Sequence, residues 1–126
     1  AVVRNDRIVF PTLVPSPTPC LAGGDSWLME LDALTGRRLT QSPFDVNGSG
    51  VIDSTDKSSF NSKSYATSGF KSGSGGISTT PTVIKDPTKP DQEYKYISTS
   101  TGEVRKVLES VSQGQAGRIT WREIVQ

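Results

Sequence analysis

The sequence predicts an all-β fold of short antiparallel strands, and three observations carry that reading. Ser and Thr fill 30 of the 126 positions and are joined by 12 Gly and 8 Pro, a composition that builds strands and turns in preference to helices. Short runs alternate in side-chain character with the period of two that a strand imposes. Turn-forming residues separate those runs at short intervals.

The elements follow in chain order. Residues 7–14 are mostly apolar on both faces, as in a buried strand. Pro11 and Pro15 donate no ladder hydrogen bond, so they place this strand at an edge or break it. Residues 16–19, Ser-Pro-Thr-Pro, are loop. Residues 26–31 alternate, with Trp27, Met29 and Leu31 on one face and Leu28 and Glu30 on the other. Asp32-Ala33-Leu34-Thr35-Gly36 is turn chemistry, after which Arg37-Arg38-Leu39 begins a return strand. Residues 45–75 are polar and rich in Ser, Gly, Asn and Lys, and the segment 57–76 reads as a mobile loop. Residues 80–84, 93–98, 103–108 and 118–125 read as four more strands. Their turns fall at Pro87 and Pro90, at Thr101-Gly102 and at 114–117. Tyr94 and Tyr96 share one face, as do Ile119 and Trp121; Trp27 and Trp121 read as core residues.

A faint repeat supports a blade-like arrangement. Leu34-Thr35-Gly36 and Ser100-Thr101-Gly102 both mark strand-to-strand turns. Without the polar stretch 45–75, their separation comes somewhat short of the roughly 40–50 residues of a propeller blade. A whole propeller needs at least about four blades, so residues 1–126 read as a single β domain or a fragment that supplies two blades, or one and a half, of a larger ring, with 45–75 inserted. The chain opens on Ala1 with no leader pattern and carries the lone Cys20, which reads as a processed or excised piece of something longer.

Several functions are excluded early. A formal net charge of +1 offers no field for nucleic acid. No apolar run approaches the roughly 18 residues of a membrane-spanning helix. There is no His, which removes Ser-His-Asp and Cys-His catalysis and every His-ligated metal. Gly23-Gly24-Asp25-Ser26 is a tight turn without the helix and Lys of a phosphate loop. Glu30, Asp32, Glu103 and Glu123 form no pair placed for glycosidase chemistry. The chain reads as a non-enzyme with no catalytic residues.

The sharpest motif is Asp45-Val46-Asn47-Gly48-Ser49-Gly50-Val51-Ile52-Asp53-Ser54-Thr55-Asp56. Side-chain oxygens of Asp45, Asn47, Ser49, Asp53 and Asp56 fall at positions one, three, five, nine and twelve. Gly50 stands at the sharp turn of position six, and Val51 offers its backbone carbonyl at seven, as in an EF-hand-like calcium loop. Ca2+ is a hard cation that takes about six to eight oxygens, and alternate positions of a tight loop supply them. Ser49 stands where an acid is usual and Asp56 is shorter than Glu, so the expected affinity is weak, on the order of 10⁻⁴–10⁻³ M.

Beyond these patterns lies a family resemblance. Asp6-Arg7-Ile8-Val9-Phe10-Pro11-Thr12-Leu13-Val14-Pro15, then Pro19-Cys20, Gly23-Gly24 and Ser26-Trp27-Leu28-Met29-Glu30-Leu31-Asp32-Ala33-Leu34-Thr35-Gly36 resemble the C-terminal part of the PilY/PilC family. Ser42-Pro43-Phe44-Asp45-Val46-Asn47-Gly48 continues the match into the loop. Ser78-Thr79-Thr80-Pro81-Thr82-Val83-Ile84, Tyr94-Lys95-Tyr96-Ile97 and Gly117-Arg118-Ile119-Thr120-Trp121-Arg122-Glu123 extend it. These are type IV pilus biogenesis factors and tip-associated adhesins.

The resemblance implies C-terminal blades of a modified β-propeller with one calcium loop, ligated by Asp45, Asn47, Ser49, the Val51 carbonyl and Asp53. It implies a protein of the cell surface, pilus tip or outer membrane of a Gram-negative bacterium. Its partners would be pilus components such as minor pilins, and a host or surface ligand. The Arg-Gly-Asp motif of some members is absent. Two other classes compete: a blade pair of a quinoprotein-like propeller enzyme, and a cellulosome-type docking module, which is mostly helical.

Overall fold

The computed structural model describes residues 1–18, 23–71 and 76–111, and within them every regular element is a strand. In order these are β1 (Val2–Arg4), β2 (Arg7–Pro15), β3 (Gly24–Asp32), β4 (Lys57–Phe60), β5 (Lys63–Ala66), β6 (Gly69–Lys71), β7 (Thr82–Lys85), β8 (Gln92–Ser98) and β9 (Val104–Ser110). The all-β, antiparallel expectation therefore holds, and the mostly helical docking module does not fit. No helix among the described residues is long and apolar enough to cross a membrane. Cys20, the strand expected at 118–125, the turn at 114–117, Trp121 and Glu123 lie outside the described residues.

Three sheets form: β1-β2-β3-β6, the hairpin β4-β5, and β7-β8-β9. Local chemistry explains the hairpins. Asn5 and Asp6 carry φ of 50° and 58°, and Asn61 and Ser62 carry 49° and 60°. Two successive positive φ values are what a two-residue turn needs to match the twist of its flanking strands. Asp32 closes the turn after β3 by accepting from the amides of Leu34 and Thr35 and from the Thr35 hydroxyl. That partnership, with the Thr35 amide leading, holds the exposed Asp32 carboxyl below its ordinary pKa. Asp86 plays the same part before Thr88 between β7 and β8.

Three details depart from the sequence reading. Arg37-Arg38-Leu39 is not a strand; its place beside β3 is taken by β6, with Leu28 opposite Phe70. Residues 57–66 and 69–71 are strands where the sequence reads as a mobile loop. The alternation of β3 and β8 is as the sequence reads, but Trp27, read as core, is 39% exposed: Ser26, Leu28 and Glu30 form the buried face of β3, and in β8 Glu93, Lys95 and Ile97 are buried while Tyr94 and Tyr96 share the half-buried face.

Among the described residues the core consists of Val9, Leu28, Phe44, Ile97 and Val107, with Phe70 packed against it. Phe44 is wholly buried, its ring centroid 6.1 Å from that of Phe70. It joins the two larger sheets by an isolated bridge to Glu109 on β9, and the flanking backbone reinforces it. The Ser110 amide donates to the Pro43 carbonyl at 2.9 Å, and the Asp45 amide to the Leu108 carbonyl at 3.3 Å. The 45–56 loop thus starts directly from the core.

Candidate functional site

The loop is shaped by its own carboxylates. Asp45 accepts from two successive amides, Ser49 N–H on Oδ1 at 3.0 Å and Gly50 N–H on Oδ2 at 2.8 Å. Asn47 Oδ1 accepts from the same Ser49 amide at 2.9 Å, so the Asp45 and Asn47 oxygens converge on one N–H. Gly50 has φ of 78°, a left-handed conformation that glycine adopts without steric cost. Ser49 Oγ donates to the Val51 carbonyl at 2.9 Å. Asn47 Nδ2 donates to Thr55 Oγ1 at 2.9 Å, and Thr55 in turn donates from its amide and hydroxyl to Asp53 Oδ1 at 2.7 and 2.6 Å. Asp45, Asn47, Ser49, Val51 and Asp53 therefore belong to one hydrogen-bonded network.

Asp56 closes the loop from beneath. It is fully buried, and its two oxygens accept from Val46 and Asn47 amides on one side and from the Asp53 amide on the other. A carboxylate bound by several amides is a strong fastener, because each bond is charge-assisted and water does not compete. Asp56 thus pins both limbs of the loop at the point where β4 begins. At the exposed rim, the Thr55 hydroxyl and then its amide hold the Asp53 carboxyl below its ordinary pKa, so it stays ionised in neutral solution.

The donor set fits a hard cation. Every candidate ligand atom is oxygen, and Asp45, Asn47, Ser49, Val51 and Asp53 lie at or near the surface. Among the described residues no group of three or more Asp, Glu, His or Cys side chains is placed to hold a metal ion. Such a site would rest on neutral oxygens as much as on acids, consistent with weak binding.

Behind the loop lies a feature the sequence reading passed over. Three carboxylates, Glu30, Glu93 and Glu109, meet three cations, Arg4, Arg7 and Lys95, in the interior between the sheets. Arg7 Nη1 binds Glu30 Oε1 at 2.9 Å and the Ser110 carbonyl at 2.9 Å. Arg4 grips Glu93 through Nε at 2.9 and 3.2 Å. Lys95 Nζ sits between all three acids, 3.6 Å from Glu30, 3.3 Å from Glu93 and in direct contact with Glu109. These pairs link β1, β2 and β3 to β8 and β9.

The electrostatics of the cluster are unequal. Burial, followed by the charge of Glu30, pushes Glu109 well above the ordinary carboxylate range, and Lys95 only partly opposes it. Burial also raises Glu93, but its hydrogen bond to Arg4 and the charge of Lys95 outweigh that and leave it below the ordinary value. Lys95 is lowered by burial and raised more by Glu109 and Glu30, so it stays protonated. Glu30 Oε2 and Glu109 Oε1 meet no hydrogen-bond donor among the described residues, and Glu30 lies within hydrogen-bonding reach of Glu109. A proton on Glu109 would serve that pair. The alternation Glu93-Tyr94-Lys95-Tyr96 and the opposite charges on neighbouring strands were the available signals.

Comparison with known proteins finds type IV pilus biogenesis factors. PilY1 of Pseudomonas aeruginosa strain PAO1 is 35% identical over 71 residues, covering 56% of this chain and 6% of that protein. PilY1 of strain PAK matches to the same extent. PilY1 of strain UCBPP-PA14 is 28% identical over 117 residues, 93% of this chain and 9% of that protein. The chain thus spans less than a tenth of the length of these relatives. No family model and no solved structure matches it.

Proposed function

We propose that this chain is the calcium-binding C-terminal part of a type IV pilus biogenesis protein of the tip-adhesin kind, acting at the cell surface without catalysis. The similarity to PilY1 proteins supports the pilus setting. The observation that carries the calcium reading is the pair of amide bonds to Asp45, which bends the chain so that oxygens of Asp45, Asn47, Ser49, Val51 and Asp53 lie along one network. Asp45, Asn47, Ser49 and Asp53 would hold the ion with the Val51 carbonyl, while Asp56, whose oxygens accept loop amides, braces the loop from beneath. Bound there, Ca2+ would supply positive charge to offset the Asp45 and Asp53 carboxylates.

The chain's own residues do the rest. Phe44 fixes one end of the loop in the core, and Asp56 fixes the other at β4. Stiffening between those fixed ends alters a surface segment and leaves the sheets in place. Such a segment suits recognition by a pilus component, a minor pilin among them, or by a host or surface ligand. Calorimetric titration of the intact chain tests this. We expect heats with Ca2+, much weaker heats with Mg2+, which demands near-octahedral geometry and sheds water reluctantly, and at least a tenfold loss of Ca2+ affinity in Asp53→Ala. Equal heats from wild type and Asp53→Ala would refute the ligand assignment.

A further inference from the structure

One buried side chain from a distant strand reaches the 45–56 loop. Gln92 is the first residue of β8 and is only 7% exposed. Its Nε2 donates to the Gly50 carbonyl at 3.5 Å, across 42 residues of sequence. The bond is long, but its target is the sharp turn of the loop. Asp45 Oδ2 accepts from the Gly50 N–H at 2.8 Å, so Gly50 is held at both ends, its N–H from within the loop and its C=O from β8. Glycine is the residue with most backbone freedom, and such a turn gains most from being held. The Gly50 carbonyl and the Val51 N–H share one planar peptide unit, so only the two dihedrals of Val51 separate it from the Val51 carbonyl, a candidate ligand. Gln92 is itself firmly placed. It lies opposite Ser110 in the ladder of β8 and β9, and the Ser110 amide donates to the Pro43 carbonyl at the root of the loop. The same strand ends carry the root of the loop and the arm that meets its turn.

We propose that Gln92 is a positioning residue of the calcium site, a role that rests on the calcium reading of the loop. The loop's own amides set its fold, and Gln92 adds one hold from outside that fixes the Gly50–Val51 peptide before the ion arrives. A preset carbonyl lowers the ordering cost of binding. Gln92 Oε1 is buried and meets no donor among the described residues. A buried acceptor without a donor costs stability, so a methionine of similar length would serve packing better. The donor end is what the site gains in return. The amide is also the right donor beside a cation: an ionised glutamate has no proton to give, and a lysine would repel the ion.

Calorimetric titration of the intact chain and of Gln92→Met with Ca2+ tests the proposal, together with amide hydrogen exchange of both in EDTA. Gln92→Met is expected to lower Ca2+ affinity about tenfold, the usual scale for an outer partner of a metal site. In EDTA it is expected to speed exchange of the Ser49 and Gly50 amides by roughly threefold or more, while β9 exchanges as before. Gln92→Asn keeps the amide but is one methylene too short for Gly50. It is expected to lose affinity in the same way, and it replaces Gln92→Met if circular dichroism shows that the sheets of that variant are lost. Gln41→Met, which removes an exposed glutamine, is expected to change neither measurement. Wild-type affinity in Gln92→Met, even at reduced thermal stability, would overturn the positioning role and leave the calcium reading standing. A wild type that gives no heat with Ca2+ would overturn the calcium reading and this role with it.

Discussion

Lys95 holds its charge where water does not reach, and three glutamates depend on it. Lys95→Met would leave those carboxylates with only Arg4 and Arg7, and removing one member of a buried ionic group typically costs about 3–5 kcal/mol. Urea denaturation at neutral pH should show a loss of that size; an unchanged midpoint would mean that the cluster contributes nothing. The same cluster sets a pH dependence with a definite sign. Glu109 has a raised folded pKa, so above the ordinary value of 4.5 the folded chain keeps a proton that the unfolded chain releases. Its contribution is therefore fully present at acid pH and falls as pH rises from about 4.5 through the folded value. Glu93 is depressed, so its contribution is present above the ordinary glutamate value and is lost as pH falls through its folded value. Stability should therefore peak in mildly acidic solution, and Glu109→Gln should flatten the fall on the neutral side. Chemical denaturation across pH checks this, and a wild-type curve rising steadily from pH 5 to 8 would contradict it. The sequence did not reveal this cluster. Alternation in β8 was visible, but a Tyr-Lys-Tyr pattern does not say which face is buried unless the partners of the lysine are known. Of those partners, Glu30 arrives from β3, far back in the chain, and Glu109 from the adjoining strand β9.

The two-residue turn between β4 and β5 carries Asn61 and Ser62, both at positive φ. Asn tolerates that conformation and Ser does so less well, whereas Asn-Gly is the favoured pair for such a hairpin. Ser62→Gly should therefore stabilise the hairpin, by up to about 1 kcal/mol after glycine's entropy cost. Thermal unfolding checks it, and a lower midpoint would refute the turn assignment. This hairpin illustrates where element reading ran out. Lys57-Ser58-Ser59-Phe60 and Lys63-Ser64-Tyr65-Ala66 have almost no buried side chains, so no apolar period announced them. By contrast, β2, β3, β8 and β9 were legible because each carries apolar or aromatic residues at strand spacing between clear turns. The edge strand β1 was missed because three residues are too few for a periodic signal. The candidate loop was legible for the opposite reason. Its geometry is set locally, by amides within twelve residues of chain, so sequence spacing alone specifies it.

At the scale of the whole molecule, a small core and a buried ionic cluster hold two sheets together, and the loop hangs between them from Phe44. Phe44→Ala would remove the largest wholly buried side chain among the described residues, at a typical cost of about 3–5 kcal/mol, and would also loosen the root of the loop. We expect that variant to lose both urea resistance and calcium affinity; normal affinity at reduced stability would show that the loop is independent of the core. The central claim is that calcium acts on the loop and leaves the sheets as they are. Amide hydrogen exchange of the intact chain, with saturating Ca2+ and with EDTA, tests it most directly. The account predicts that protection rises across residues 45–60 and stays the same in β8 and β9. Unchanged exchange in the loop, or protection gained equally throughout β2, β3, β8 and β9, would contradict it.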